Sequence, residues 1–269
     1  VITAITTNSN TNPDMFSLFN KWNPKKPPKM KQPVSLAPLM WDMHSHLLPG
    51  IDDGAPTLEH SIELIEKLIA FGYVGAVTTP HIYWDMYRNS PEIILEKLAL
   101  VKEEIAKRQL PFQLEAAAEY FCDEHFESQI EQGKLLDFGK EKYVLFEISF
   151  VQENINLGRA IFNMRLNGFQ PILAHPERYE YWHSDFSRYE SMLDKEVLLQ
   201  VNMNSLTGQY GPNVRRIAEK LIAKGMVSFI GSDCHHVGHI DLMEQARSSP
   251  SMKIFLESSR SLHSTISAY

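Results

Sequence analysis

The 269 residues carry 43% hydrophobic and 22% charged side chains, enough apolar surface to bury a core, which excludes a disordered chain and fits one α/β unit of barrel size better than two small domains. A formal net charge of −7 leaves no basic surplus for neutralising nucleic-acid phosphates, so nucleic acid is excluded as a broad partner. Two cysteines, Cys122 and Cys234, are too few for a disulfide framework; with no run of about 18 apolar residues and no secretory pattern, the chain reads as cytoplasmic and without a transmembrane segment.

Residues 1–14 are polar, lack helical period and read as an added leader or upstream read-through, with Met15 a candidate natural start. Residues 15–38 hold several prolines and five lysines (Lys21, Lys25, Lys26, Lys29 and Lys31), too little apolar surface to fold alone. Residues 1–38 are therefore taken as an N-terminal arm and 39–269 as the catalytic domain. The lysines are either a solvated tail or an attachment to an anionic membrane surface, at about 1 kcal/mol per basic residue.

From residue 39 short apolar runs alternate with segments of helical period, the pattern of repeated βα units around parallel strands. Seven units are counted, with strands expected at 39–43, 75–79, 112–118, 143–148, 171–174, 198–203 and 227–231. Between the first two, Leu58, Ile62, Ile65 and Ile69 share one helix face and Gly72 supplies a left-handed stop. Ser90 followed by Pro91 caps a second helix with an Ile94, Leu98, Val101, Ile105 stripe. Further helices are expected over 154–167, 186–196, 213–224 and 240–260, the last broken at Pro250.

Six of the seven expected strands end in His, Glu or Asp, where barrel enzymes assemble active sites. The first runs into His44-Ser45-His46, the second into His81, the third into Glu119, the fourth into Glu147, the fifth into His175 and the seventh into Asp233-Cys234-His235. Two histidines one residue apart on an extended segment face the same side, so His44 and His46 can reach one cation. A single such histidine is usually a satisfied structural side chain. So many acidic and imidazole groups on one rim would instead leave buried charges unpaired at several kcal/mol each, and bound cations resolve that conflict. Nitrogen and oxygen donors without thiolate favour divalent manganese, iron or zinc.

The strings HSHLLPGIDDGA (44–55), TPH (79–81), AEYF (118–121), FEIS (146–149), HPERY (175–179) and GSDCHH (231–236) resemble the tyrosine phosphatases of the polymerase and histidinol phosphatase (PHP) superfamily that accompany bacterial capsular and exopolysaccharide synthesis. The resemblance spans about residues 40–246 and implies an α/β fold, a distorted (β/α)7 barrel. It implies three divalent ions, manganese first among them: His44, His46, Glu119 and Asp233 on one, Glu119, Glu147 and His175 on the second, and Asp53, His81 and His235 on the third. Asp52 is the turn or hydrogen-bonding neighbour of Asp53. Asp53, Glu119, Glu147 and Asp233 contribute −4 against +6 from three ions, a positive site suited to a phosphate dianion. The implied reaction is attack of a metal-bridged hydroxide on phosphorus.

Arg178 matches the phosphate-binding arginine of the HPERY-like string; a surface salt bridge to Glu177 or Glu180 is its alternative role. Family members often carry a second arginine after the SDxH string, but residues 236–246 contain none, so His236, His239 or Arg88 is left to supply that contact. Tyr83, Trp84 and Tyr87, with Tyr179, Tyr181 and Trp182, either line an aromatic-accepting entrance or only cover the rim. His60, His125, His183 and His263 fall outside the strings and read as ordinary surface or helix residues. Neither cysteine is followed six residues on by arginine (Ser128 and Ile240 stand there), so the Cys-based phosphate cradle is missing. The expected substrate is phosphotyrosine on a protein, foremost a membrane-associated tyrosine kinase, which would hold the enzyme at the inner membrane surface. Competing readings are a small-molecule phosphatase such as histidinol phosphatase, a PHP exonuclease and a binding module that keeps metal for structure.

Overall fold

The computed structural model describes residues 32–266. In chain order the regular elements are β1 (Trp41–Asp42), α1 (Leu58–Ala70), β2 (Gly75–Thr78), β3 (His81–Ile82), α2 (Pro91–Lys107), β4 (Gln113–Ala116), β5 (Glu119–Phe121), α3 (Glu124–Glu131), β6 (Tyr143–Glu147), α4 (Leu157–Leu166), β7 (Gln170–Ala174), α5 (Ser187–Asp194), β8 (Leu198–Asn202), α6 (Pro212–Ala223), β9 (Phe229–Gly231), α7 (Val237–Ala246) and α8 (Pro250–Leu256), with short 3-10 turns between some of them. No helix among the described residues is long and apolar enough to cross a membrane.

All the ladders are parallel, as alternating strand and helix patterns predict, but they draw two sheets and not one closed ring. One sheet has the order β1-β2-β4, the other β3-β5-β6-β7-β8-β9. The expected second strand breaks because Pro80 has no N–H to continue a ladder. Its carbonyl instead accepts the Glu119 N–H at 3.1 Å. The third strand breaks alongside it, at Ala117-Ala118, so both pass from the first sheet into the second and deliver His81 and Glu119 side by side. A parallel bridge between Ser45 and Cys234 joins the segment after β1 to the segment after β9.

Helices cover the sheets through apolar stripes. Thr57 caps α1 by accepting the His60 N–H, Ile62, Ile65 and Leu68 are buried, and Gly72 takes φ 95° at the stop. Ser90 caps α2 as expected, with Ile94, Leu98, Val101 and Ile105 inward. The element sequence reading missed is α3: Asp123 accepts the Phe126 N–H at 2.8 Å, and Phe126 and Ile130 are buried one turn apart. Pro250 opens α8 where a break inside one helix was expected, because its fixed φ suits the first helical position.

A second buried cluster takes residues from both sheets: Trp41, Met43, Val77, Leu145, Ile172, Ala174 and Phe229 meet in it, closed by Phe138, Tyr143 and Ile266. The boundary expected at residue 38 falls inside packed chain. Val34 and Arg247 exchange hydrogen bonds at 3.0 and 2.7 Å, and Leu36 is fully buried in the main hydrophobic cluster. Residues 1–31, the rest of the expected arm with its five lysines, lie outside the described residues.

Candidate metal centre

The carboxyl ends of the strands open into one cavity of about 580 Å³. His44 and His46 enter from the extended segment after β1, pinned because the carbonyl of Ser45 accepts the Thr79 N–H at 2.7 Å and the Thr78 hydroxyl at 2.9 Å. The loop at 50–54 can lie against them only because residue 54 is glycine: a Cβ there would stand 2.3 Å from the His46 carbonyl oxygen. That close approach sets Asp52 on His46, with Nδ1 to Oδ2 at 2.8 Å, and turns Asp53 toward His81 and His235. Asp52 is thus the hydrogen-bonding neighbour anticipated for it. His175 and Asp233 both hold left-handed backbone, φ 34° and 48°, a conformation uncommon outside glycine.

The structure brings all nine expected ligands together. His44 Nε2 lies 3.2 Å from Glu119 and 3.4 Å from Asp233; His46 Nε2 lies 3.6 and 3.5 Å from the same oxygens. His175 Nε2 meets Glu119 at 2.9 Å and Glu147 at 3.8 Å. Asp53 stands 3.5 Å from His81 and 3.4 Å from His235. His81 does more than its motif implied, since its other nitrogen faces Glu119 at 3.2 Å and Glu147 at 3.3 Å. Four groups of three or four donors form a chain through His44, His46, His81 and Glu119, with donor atoms within 4.8 Å of one another in each.

The donor set fits divalent cations. His44 Nε2, His46 Nε2, His81 Nδ1 and Glu119 Oε2 are buried without a hydrogen-bond partner, an arrangement that costs free energy unless a cation takes their lone pairs. Burial pushes the His44 imidazole down, but the Glu119 and Asp233 carboxylates outweigh it and raise it to about 9. Burial likewise works against ionised Glu119 and Asp233, yet His44 and its neighbours hold both well below the usual carboxylate range. The thiols offer no alternative nucleophile: Cys122 and Cys234 are buried, and burial pushes each up to about 12.

Arg178 lines the same cavity. Its guanidinium is 4.6 Å from the Phe150 ring and 4.5 Å from Tyr210, and one nitrogen lies 3.4 Å from Asp233. The alternative pairing with Glu177 does not form, since Glu177 turns inward to accept from the Asn202 N–H and the Ser205 hydroxyl. His236 and His239 also reach the cavity. Arg88 does not: it donates to the Trp84 carbonyl at 2.9 Å and stacks on that indole.

Of the aromatic groups, Tyr83 and Tyr87 line the cavity, whereas Tyr179 and Trp182 are core residues. Sequence reading missed Phe121, Phe150 and Tyr210 on the cavity wall. His263 is no surface residue but is buried between Trp41 and Ile230, and His183 hydrogen-bonds the Glu177 carbonyl.

Residues 40–253 match the family described as capsular polysaccharide synthesis, CpsB/CapC. The tyrosine-protein phosphatase YwqE of Bacillus subtilis is 27% identical over 198 residues, 74% of this chain and 78% of its own. CpsB of Streptococcus agalactiae, also called a tyrosine-protein phosphatase, is 26% identical over 203 residues, covering 74% and 84%. Among solved structures, one from work on YwqE and Streptococcus pneumoniae CpsB, described as unique metal-dependent tyrosine phosphatases, superposes with a TM-score of 0.73 at 24% identity, covering 83% of this chain and 89% of that one. An amidohydrolase from Mycoplasma synoviae gives 0.50 at 9% identity over 88% and 89%.

Proposed function

The chain belongs to the CpsB/CapC family of capsular polysaccharide synthesis, and from that premise we propose that it is a metal-dependent phosphatase acting on phosphotyrosine in bacterial proteins. The observation that carries this is the set of buried, partnerless donor atoms on His44, His46, His81 and Glu119, of which His81 and Glu119 line a cavity that also receives Arg178. The two sheets are read as parts of one distorted seven-unit barrel, supported by the Ser45–Cys234 bridge and by the inner cluster drawn from both.

His44, His46, Glu119 and Asp233 would hold one divalent ion, Glu119, Glu147 and His175 a second, and Asp53, His81 and His235 a third, with manganese, iron or zinc all suited to these donors. When bound, such ions supply Lewis acidity, which makes water a nucleophile at neutral pH and offsets phosphate charge. Arg178 binds phosphate oxygens with paired donors, held in place by Phe150, Tyr210 and Asp233. His236 and His239 are the remaining candidates for the second phosphate contact. Tyr83, Tyr87 and Phe121 line the wall against which a substrate phenol ring would lie.

A membrane-associated tyrosine kinase is the proposed protein substrate, acted on from the cytoplasmic side. Protein loaded separately with manganese, iron or zinc, with metal content measured, should hydrolyse a phosphotyrosyl peptide faster than histidinol phosphate. Preference for histidinol phosphate would move the assignment to a small-molecule phosphatase. Stoichiometric metal without hydrolysis of either substrate would leave only a metal-stabilised binding module.

A further inference from the structure

One strand of the second sheet, β8, brings no expected ligand to the cavity, yet it carries two polar side chains, Gln200 and Asn202, that are fully buried. They are two residues apart, so they face the same side of the strand. Asn202 Nδ2 donates to Asp233 Oδ2 at 2.5 Å, Gln200 Nε2 donates to Asn202 Oδ1 at 2.9 Å, and Gln200 Oε1 lies 2.8 Å from His44 Nδ1. The direction of this chain is fixed from its carboxylate end. An ionised carboxylate only accepts, so Asn202 must present its amide nitrogen there, which turns its oxygen to Gln200. Gln200 then presents nitrogen to Asn202 and oxygen to His44. His44 must therefore donate from Nδ1, which points Nε2 toward Glu119 and Asp233.

Gln200 Oε1 also accepts the backbone N–H of His175 at 3.3 Å. The space is shaped for the chain: a Cβ on Gly231 of β9 would stand 2.8 Å from Gln200 Nε2 and 2.6 Å from the His44 Cβ. We propose that Gln200 and Asn202 are positioning residues for the metal centre, forming an amide relay that sets the His44 tautomer and ties His44, His175 and Asp233 into one arrangement. This rests on the metal-centre reading above. The strand that supplies no ligand thereby orients ligands contributed by three others.

Calorimetric titration of the chelator-treated full chain with Mn²⁺ tests the relay without reference to turnover. Gln200→Leu, which removes the acceptor from His44, should weaken Mn²⁺ binding about 10- to 100-fold, the usual effect of removing a hydrogen-bond partner from a metal-binding histidine. Gln200→Glu still offers an acceptor to His44 Nδ1 and the His175 N–H, although it sets a carboxylate oxygen against Asn202 Oδ1, and should recover part of that loss. Equal affinity for wild type and Gln200→Leu, or a Gln200→Glu variant as weak as Gln200→Leu, overturns the proposal. If Gln200→Leu does not fold, Asn202→Ala cuts the same relay at its other end and carries the same expected loss, with wild-type affinity again overturning it. Failure of the wild-type chain to bind Mn²⁺, Fe²⁺ or Zn²⁺ would instead overturn the metal centre itself.

Discussion

Arg178 separates phosphate binding from metal binding, because its guanidinium reaches the cavity while the nine candidate ligands are other residues. Arg178→Ala should leave metal content near wild type and lower aryl phosphate turnover about a hundredfold, since loss of one charge contact to a transition state costs on the order of 3 kcal/mol. Unchanged kinetics would show that the residue serves only Asp233 and its aromatic neighbours. His44→Ala should behave oppositely and lose metal and turnover together. Eight of the nine candidate ligand positions were legible because a polar residue at the end of an apolar strand is conspicuous in one sequence, whereas Asp53, in a turn, came only from the family resemblance. Phe150 and Tyr210 were not legible, since they sit in loops of no regular period, and only the fold brings both rings against one guanidinium. Gln200 and Asn202 did leave a signal, two polar residues at period two inside the run LLQVNM, where a strand buried on both faces would be apolar throughout.

At the scale of elements, strand and helix order followed from apolar periodicity, while the division into two sheets depended on hydrogen bonds that sequence pattern does not encode. The passage of two strands between sheets is marked only by Pro80, and α3 was overlooked because its apolar face is just Phe126 and Ile130. The C-terminal 3-10 turn His263–Thr265 shows what such short elements can do. His263 Nδ1 donates to the Trp41 carbonyl of β1, and Nε2 accepts the Ile230 N–H of β9, so one neutral imidazole spans the two sheets. Burial pushes this imidazole down to about 4. The unfolded chain therefore takes up the proton first. Stability from this group is complete above about pH 6.5 and is lost as pH falls toward 4, by about 3 kcal/mol in all. Urea unfolding of wild type and His263→Gln at pH 7 and pH 4 should show the gap between them narrowing by about that amount. A gap independent of pH would mean that His263 titrates alike in folded and unfolded chains.

For the whole molecule, the division between arm and catalyst depends on where packed chain begins. Composition put it at residue 38, since prolines and lysines precede that point; the structure carries packing back to Val34 and Leu36, because one buried leucine and one backbone pairing suffice to fix a short stretch without any periodic signal. A chain beginning at Gln32 should therefore keep its metal content and hydrolyse a small aryl phosphate at the full-length rate, as every candidate ligand and Arg178 follow residue 43. A chain beginning at Leu39 loses the Leu36 side chain, worth about 2 kcal/mol or more when fully buried, together with the hydrogen bonds to Arg247, and should unfold at lower urea. The lysines removed in both cases act only over about a Debye length, so their contribution should appear as co-sedimentation with anionic vesicles, present in the full chain, absent from the Gln32 start and weakened by salt. Equal sedimentation of the two chains would make residues 1–31 a solvated tail. Loss of turnover from the Gln32 start with metals retained would mean that those residues reach the cavity, and the separation of arm from catalyst would fail.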